Sequence, residues 1–474
     1  MINLKIGLEI HRQVNTHKLF CSCPSELIDK EPDFQIKRYL RAVESEIGEK
    51  DIVAQFEVAK GKHAIYQGYK DKTCLVETDD EPPHSINQSA LKAILEVALL
   101  LNCKIQRNIQ VMRKQVLDLS NTSGFQRTAL VATDGFVEAN GKKIGINTIC
   151  LEEDAARKIS EGKDFVIFRL DRLGIPLIEI TTKPDIKTAE EAKEVAAYLG
   201  MLIKSTGKFK SGLGTIRQDV NLSINNNPRI ELKGVQDLDT MNKMINIEVE
   251  RQLSLLKESK KIVPEVRKVK PDLTTSFLRP MPGAARMYVE TDHPEIEISD
   301  HMLKSIKLPK LITEKAIDLE KEFKLSAQLS KEIIDIEDKF RDYVKKYKNL
   351  ETEFIARTLI EIPKEIKTRL KLDISKVKDN DFEFVFENIN NKTIPKSAAI
   401  EILSEICEGK TINLEKYKTL SEVEVEKIIK EIVNKNKDAP FNALMGIIMG
   451  RLKGKVDGSK VAELIKKNSS LQKF

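Results

Sequence analysis

Apolar Ile6, Leu8 and Ile10 alternate with Gly7, Glu9 and His11 near the start of the sequence. Such a run folds as a strand that buries the first three on one face and sets Glu9 and His11 side by side on the other. A carboxylate and an imidazole held on rigid backbone are candidate ligands for a hard cation. The same pattern suits a strand whose polar face meets water, with Glu9 in an ordinary ion pair. The rest of the chain has to decide between the two.

The 474 residues suffice for about two to four domains with buried cores. No leader pattern is present, and no apolar run approaches the roughly 18 residues of a membrane span, so the protein is expected to be cytoplasmic with no membrane partner. Six cysteines in a chain of this length do not form a disulfide framework.

Up to about residue 295 the chain shows turns and short strand-like runs, at 146–151, 165–170, 176–181, 215–224 and 229–233. Helical periodicity interrupts them at 88–101 and at 188–205, the latter opening at Thr188 ahead of Glu190 and Glu191. This predicts an α+β body with a mixed, largely antiparallel sheet. After Ser299 the texture changes. Residues 303–389 are helical, rich in Lys and Glu and nearly free of glycine, with a break predicted at Ile362-Pro363. A second helical unit follows Pro395, with helices over 422–434, 441–452 and 459–467. The expected organisation is a catalytic body over 1–298, a helical domain over 299–394 and a helical tail domain over 395–474.

Charge is unevenly placed. From His301 onward 35 Lys and Arg stand against 29 Asp and Glu, which accounts for the whole net charge of +6. Leu444, Ile447, Ile448 and Leu452 recur at helical spacing and are expected to pack inward. Arg451, Lys453, Lys455, Lys460, Lys466 and Lys467 then remain for solvent, where they can meet RNA phosphates. Lysines that serve only solubility give the same pattern.

Two acids extend the Glu9/His11 arrangement. Glu152 ends a run in which Ile149 and Leu151 alternate with Thr148 and Cys150, and a slip of one residue would present Glu153 instead. Glu179 is embedded among Leu177, Ile178 and Ile180, where a carboxylate is expensive to bury without a cation. Arg169 or Arg172 would serve as that cation, and so would a metal. Glu9, His11, Glu152 and Glu179 together suit Mg²⁺, with waters and substrate phosphate completing the octahedron. A predicted hairpin adds charge. Arg217 and Asp219 alternate with Ile216 and Val220, the turn Asn225–Pro228 follows, and Lys233 alternates with Leu232. Arg217, Asp219 and Lys233 on one face would line a pocket for a phosphorylated substrate, although a solvated sheet face reads alike.

The sequence holds no Gly-x-x-x-x-Gly-Lys-Ser/Thr loop, no His-Glu-x-x-His pair and no protein-kinase or nucleophile-elbow set, and Gly212-Leu213-Gly214 lacks the third glycine of a dinucleotide fingerprint. Any ATP chemistry must use another scaffold. Cys21, Cys23 and the distant Cys74 supply three thiols, one short of a closed zinc site, with His63 as a loosely spaced fourth. On that spacing zinc is the less favoured cofactor.

The stretches GLEIHRQVNT (7–16), LFCSCPSEL (19–27), CLVETDDEPPHS (74–85), MRKQVLDLSNTSGFQRTALVATDG (112–135), LEEDAARK (151–158), PLIEITTKPD (176–185), GTIRQDVNLSI (214–224), RPMPGAARMYVETDHP (279–294) and NALMGIIMGRLKGKVDGSKVAELI (442–465) occur in this order. Together they resemble the B/E family of tRNA-dependent amidotransferase subunits over essentially the whole chain. SNTSGFQRT and GAARMYVETD look more like the archaeal E branch than the bacterial B branch. One departure is plain. The E branch normally carries an insertion resembling part of aspartyl-tRNA synthetase, and the span from Gln252 to Thr274 is too short to hold it.

The resemblance implies a glutamine-synthetase-like cradle, an all-helical segment and a small helical tail that binds tRNA. It implies a carbon–nitrogen ligase using ATP and Mg²⁺. The γ-carboxylate of glutamate on Glu-tRNA(Gln) is phosphorylated, and ammonia then displaces the phosphate. An asparaginase-like glutaminase, the D component of such complexes, would supply the ammonia within a heterodimer or heterotetramer. On this reading Glu9, His11, Glu152 and Glu179 hold the metal, and Arg217, Asp219 and Lys233 hold ATP or the activated glutamyl end. Two alternatives stay open: Asp-tRNA(Asn)/Glu-tRNA(Gln) amidation by a protein of the B type, and a non-catalytic tRNA-binding assembly factor.

Overall fold

The structure, a computed structural model, describes residues 2–39, 48, 52–116, 118–139, 141–212, 214–235, 237–281, 287–418, 422–436, 440–452, 456, 458 and 461–465. The chain divides into two compact units, one ending at Leu311 and the other beginning at Ile312.

An 11-stranded sheet organises the first unit. From one edge its strands run Thr275–Pro280, Glu265–Val269, Ile230–Val235, Ile216–Ile224, Leu4–Gln13, Pro176–Thr182, Lys142–Glu153, Phe125–Ala139, Val111–Gln115 and Met287–Val289, with Lys104–Ile105 paired to Phe125–Ala139 off that path. Neighbours are antiparallel except Ile230–Val235 with Glu265–Val269. That parallel pair needs a crossover, which the Leu238–Lys257 helix supplies. The expected mixed, largely antiparallel α+β body is present.

Leu4–Gln13 runs through the middle of this sheet. Ile6, Leu8 and Ile10 are 0%, 1% and 1% exposed, and burying each contributes roughly 1.5–3 kcal/mol. They share one core with Leu91, Leu199 and Ile245, from the helices Gln88–Leu100, Ala189–Ser205 and Leu238–Lys257. These helices begin at Asn87, Thr188 and Asp237, whose side chains accept backbone N–H bonds of the first turn. With the apolar side chains committed to the helices, the alternate ones turn to the opposite sheet face. A smaller four-stranded sheet joins Phe34–Tyr39, His63–Gly68, Phe165–Arg169 and Arg157–Glu161 around Tyr66, Val166 and Phe168.

The Leu238–Lys257 helix buries Met241, Met244, Ile245 and Val249 at helical spacing. Its inward face includes Glu248 and Gln252, both 0% exposed. Glu248 accepts hydrogen bonds from Arg251, Gln252 and Thr275, so a satisfied polar network continues the apolar stripe.

The second unit is helical and has two cores, one from Leu319 to Tyr417 and one from Val425 to Ile465. Ile394, Ala398, Ile402 and Cys407 pack with Ile355 and Phe386, so the cores part between Tyr417 and Val425 and not at 394/395. Met302, Leu303 and Ile306 pack against the core of the first unit, beyond the expected end of the body at 298. The break at Pro363 does not occur. The helix Thr352–Thr368 runs through it, because buried Ile355, Leu359 and Ile366 anchor it on both sides and offset the roughly 3 kcal/mol an interior proline costs. Leu444, Ile448 and Leu452 are buried as expected, but Ile447 is 47% exposed, since it falls off the edge of that stripe. Among the described residues no helix is long and apolar enough to cross a membrane.

Candidate active site

The sheet register brings the acidic residues together. His11 stands opposite Glu179 on one neighbouring strand and Arg217 on the other, and Glu9 stands opposite Asp219. Directly opposed residues of an antiparallel pair point to one face. His11 Nε2 lies 3.1 Å from Glu179 Oε2, 3.6 Å from Glu9 Oε1 and 3.9 Å from Glu152 Oε2. One ligand atom from each of Glu9, His11 and Glu179 fits within 4.8 Å of the others.

The register also separates Glu152 from its neighbour. Glu152 turns to this face, whereas Glu153 turns away to Arg127 at 3.1 Å. Glu152 Oε1 accepts from Lys114 and, at 2.9 Å, from Thr128 Oγ1. Its Oε2 is buried without a hydrogen-bond partner. An orphaned carboxylate oxygen beside two more carboxylates and an imidazole is a donor set that fits a hard divalent cation.

Neither arginine expected to neutralise Glu179 does so. Arg169 reaches Asp29 and the carbonyl of Ile28, and Arg172 donates to the carbonyls of Ala155 and Ala156. The cation is Lys114, 3.5 Å from Glu179 Oε2. Sequence reasoning missed it, because Val111–Gln115 is a short strand of mixed polarity.

Electrostatics follow from this crowding. Burial, and then the charge of Glu179, push the Glu9 carboxyl up to about 7. Burial works against charge on His11, but its hydrogen bond to Glu179 and the surrounding carboxylates prevail and raise it. Burial likewise acts to raise Glu179, yet Lys114 and His11 hold it well below the usual carboxylate range. A divalent cation would relieve the repulsion that keeps these acids from ionising together.

Arg217, Asp219 and Lys233 line the same cavity, of about 360 Å³, as Glu9, His11, Glu152 and Glu179. All seven residues singled out in the sequence therefore meet in one place. Lys233 Nζ is 2.7 Å from Asp219 Oδ2 and 2.8 Å from Glu231 Oε1. Burial opposes its charge, but these two carboxylates keep it strongly cationic. Arg217 donates to buried Asp154 at 2.9 Å, and Gln13 holds the other oxygen of Asp154 at 2.7 Å. Asp154 was not anticipated. It ends the Glu152-Glu153-Asp154 run, whose three acids take three different directions.

The cysteines also converge. Cys21, Cys23, Cys74 and Glu77 offer four ligand atoms within 4.8 Å of one another. His63 takes no part, lying on the small sheet between the rings of Tyr39 and Phe165. Glu77 replaces it as the fourth donor, accepting from Cys21 Sγ at 2.8 Å and from the Cys74 amide at 2.6 Å, with buried Lys18 3.3 Å away. In the tail, Arg451 is exposed and 3.7 Å from Glu431. Lys453, Lys455, Lys460, Lys466 and Lys467 lie outside the described residues.

A family profile described as the GatB/GatE catalytic domain matches residues 4–304, and a GatB domain profile matches 338–468. The chain belongs to the GatB/GatE family. It is thus a ligase-class amidotransferase component, and the open sheet face just described lies within its GatB/GatE catalytic domain. The E subunit of the glutamyl-tRNA(Gln) amidotransferase of Methanocaldococcus jannaschii is 38% identical, with 98% of each chain covered. The proteins of that name from Methanococcus maripaludis and Archaeoglobus fulgidus are each 35% identical, covering 100% and 98% of this chain and 98% of their own. The alignment with the M. jannaschii protein runs over 619 positions against 474 residues here, so at least 145 of its positions have no counterpart in this chain. The shortfall agrees with the insertion that the sequence lacks. In this GatB/GatE chain only residues 258–264 link the Leu238–Lys257 helix to the Glu265–Val269 strand.

Proposed function

We propose that this GatB/GatE-family chain is the ATP-dependent amidating subunit that converts Glu-tRNA(Gln) to Gln-tRNA(Gln). A γ-carboxylate oxygen of the esterified glutamate attacks the γ-phosphorus of ATP, and ADP leaves. Ammonia then attacks the carbonyl carbon of the acyl phosphate, the C–N bond forms, and inorganic phosphate departs as the nitrogen loses its extra proton. A carboxylate is a poor electrophile until one oxygen belongs to a phosphate leaving group. Phosphoryl transfer in turn needs positioned cations and no protein nucleophile.

The observation that carries this reading is the meeting of four metal-type ligands with Arg217 and Lys233 in one cavity. Glu9, His11, Glu152 and Glu179 would hold Mg²⁺, which when bound neutralises phosphate charge. Lys233, kept cationic by Asp219 and Glu231, and Arg217, oriented by Asp154, would bind ATP or the activated glutamyl end. Three thiols and a carboxylate at Cys21, Cys23, Cys74 and Glu77 suit a structural zinc ion.

Ammonia would come from an asparaginase-like glutaminase, the D component, in a cytoplasmic heterodimer or heterotetramer. The relatives' name as E subunits and the want of a glutaminase nucleophile set in this sequence support that partner. The cradle over 1–298 would do the chemistry. The helices from Ile312 to Tyr417 would connect it to the tail beyond Tyr417, which would hold tRNA through its basic side chains.

The test is direct: ATP, Mg²⁺, ammonium and Glu-tRNA(Gln) are supplied to the purified chain, and ADP and Gln-tRNA(Gln) are measured. ADP release stimulated by charged tRNA is expected. Its absence, with tRNA still bound, would favour an assembly factor. Amidation of Asp-tRNA(Asn), or co-purification with an amidase-like protein, would favour the B-type reading.

A further inference from the structure

The acidic face of the large sheet is a row of carboxylates from adjacent strands. Glu231, Asp219, Glu9, Glu179 and Glu152 each come from a different strand, in that order across the sheet. A lysine closes each end of the row. Lys233 Nζ lies 2.7 Å from Asp219 Oδ2 and 2.8 Å from Glu231 Oε1. Lys114 donates to Glu152 Oε1 and lies 3.5 Å from Glu179 Oε2. Between the two lysines, ligand atoms of Glu9, His11 and Glu179 fall within 4.8 Å of one another.

Spacing shows what Lys233 displaces. In two-metal phosphoryl-transfer sites the ions lie about 4 Å apart, close to the roughly 5 Å between adjacent strands. A second ion beside the triangle would therefore fall one strand over, above Asp219. Glu9 would border both ions, since it stands directly opposite Asp219 in the register. The ammonium of Lys233 already sits there. Asp219 and Glu231 are each 8% exposed, and two carboxylates buried that close together need a cation between them.

We infer that Lys233 is a built-in second cation: it fills the place of a second metal ion, so that the chain without nucleotide holds one divalent cation, at Glu9, His11 and Glu179. An ammonium carries three N–H donors. Two are spent on Asp219 and Glu231, and the third remains for a phosphoryl oxygen. Unlike a metal ion, this cation cannot leave with the product phosphate. The inference rests on the reading of the triangle as a metal centre, but names how many ions it holds and what replaces the second, which that reading leaves open.

The test counts ions and needs no turnover. The full chain, without nucleotide, is titrated with Mn²⁺, which shares the preference of Mg²⁺ for oxygen ligands, and bound ion is counted by electron paramagnetic resonance. Crystals soaked in Mn²⁺ then locate each ion by anomalous scattering. Wild type should hold one ion, at Glu9, His11 and Glu179. Lys233→Met removes the charge and keeps most of the side-chain length, and its count should double, with the added ion between Asp219 and Glu231. Lys233→Arg keeps a cation there and should bind like wild type. If Lys233→Met fails to fold, Lys233→Gln takes its place with the same doubling expected. An ion between Asp219 and Glu231 in wild type or Lys233→Arg, or none there in the folded neutral variant, would overturn the inference, and an ion at the triangle would then leave the metal centre standing. Should the triangle stay empty in wild type while the neutral variant gains its ion, the metal-centre reading falls and the place of Lys233 stands.

Discussion

Glu179 is held at a depth where its charge must be shared. His11 lies at 3.1 Å and Lys114 at 3.5 Å, and with Glu9 it closes a triangle of ligand atoms. Glu179→Gln keeps the shape and removes the charge. If the triangle holds Mg²⁺, ammonia-dependent amidation should fall at least about a hundredfold and should recover partly at high Mg²⁺, as a magnesium titration of initial rates would reveal. Lys233 makes a different case, since its partners Asp219 and Glu231 belong to the hairpin itself. Lys233→Glu should abolish ATP-dependent amidation while leaving the dissociation constant for tRNA within about twofold, because an added carboxylate repels phosphate only locally. Full activity in a folded Lys233→Glu protein would remove it from the site. The thiol cluster answers to metal analysis: one zinc per chain is expected from protein purified without chelator, and Cys21→Ser or Cys74→Ser should abolish it together with some thermal stability.

At the scale of elements, the Leu238–Lys257 helix shows how a polar contact fastens a crossover. Glu248 accepts from Arg251 and Gln252 on its own helix and from Thr275 on the edge strand, at 2.6–3.0 Å. Burial acts to raise its carboxyl, but hydrogen bonds from Arg251, Thr275 and Gln252 prevail and hold it below its ordinary 4.5. A depressed folded value stabilises the fold above the unfolded value, and that stability is lost as pH falls through the folded one. Glu248→Gln should therefore cost about 3 kcal/mol near neutrality, since it leaves half-buried Arg251 and buried Arg267 facing a neutral amide. The gap between variant and wild type should narrow below pH 4.5. Urea unfolding at neutral and at acid pH would check both; an equal gap at the two would mean that Glu248 acts through packing alone.

For the whole molecule the question is where a tail can be removed. A cut at Pro395 would pass through the core that joins Ile394, Ala398 and Ile402 to Ile355 and Phe386. Truncation after Lys418 spares that core and removes the cluster from Val425 to Ile465 with the basic side chains beyond Arg451. It should raise the KM for charged tRNA about tenfold and flatten its salt dependence by roughly 0.7–0.9 for each phosphate no longer neutralised. The kcat with ammonia at saturating substrate should persist, because every proposed metal ligand lies before Leu311. Unchanged affinity and slope would leave those lysines a solubilising role.

What could be read from sequence alone was whatever depends on neighbours along the chain. The alternation through Ile6, Leu8 and Ile10 set the inward face of the central strand, and with it the side on which Glu9 and His11 emerge. The hairpin at Asn225 and Asn226, both at positive φ, likewise declared itself through local turn chemistry. Partner choice did not. Whether Glu179 is neutralised by Arg169, Arg172 or Lys114, whether Glu152 or Glu153 enters the cavity, and whether His63 or Glu77 completes the thiol cluster all depend on strand order and register. Those are settled by the burial of whole faces at once, because a slip of one residue exposes every apolar side chain of a strand together. The chain encodes its ligands locally, but only the assembled sheet decides which of them meet.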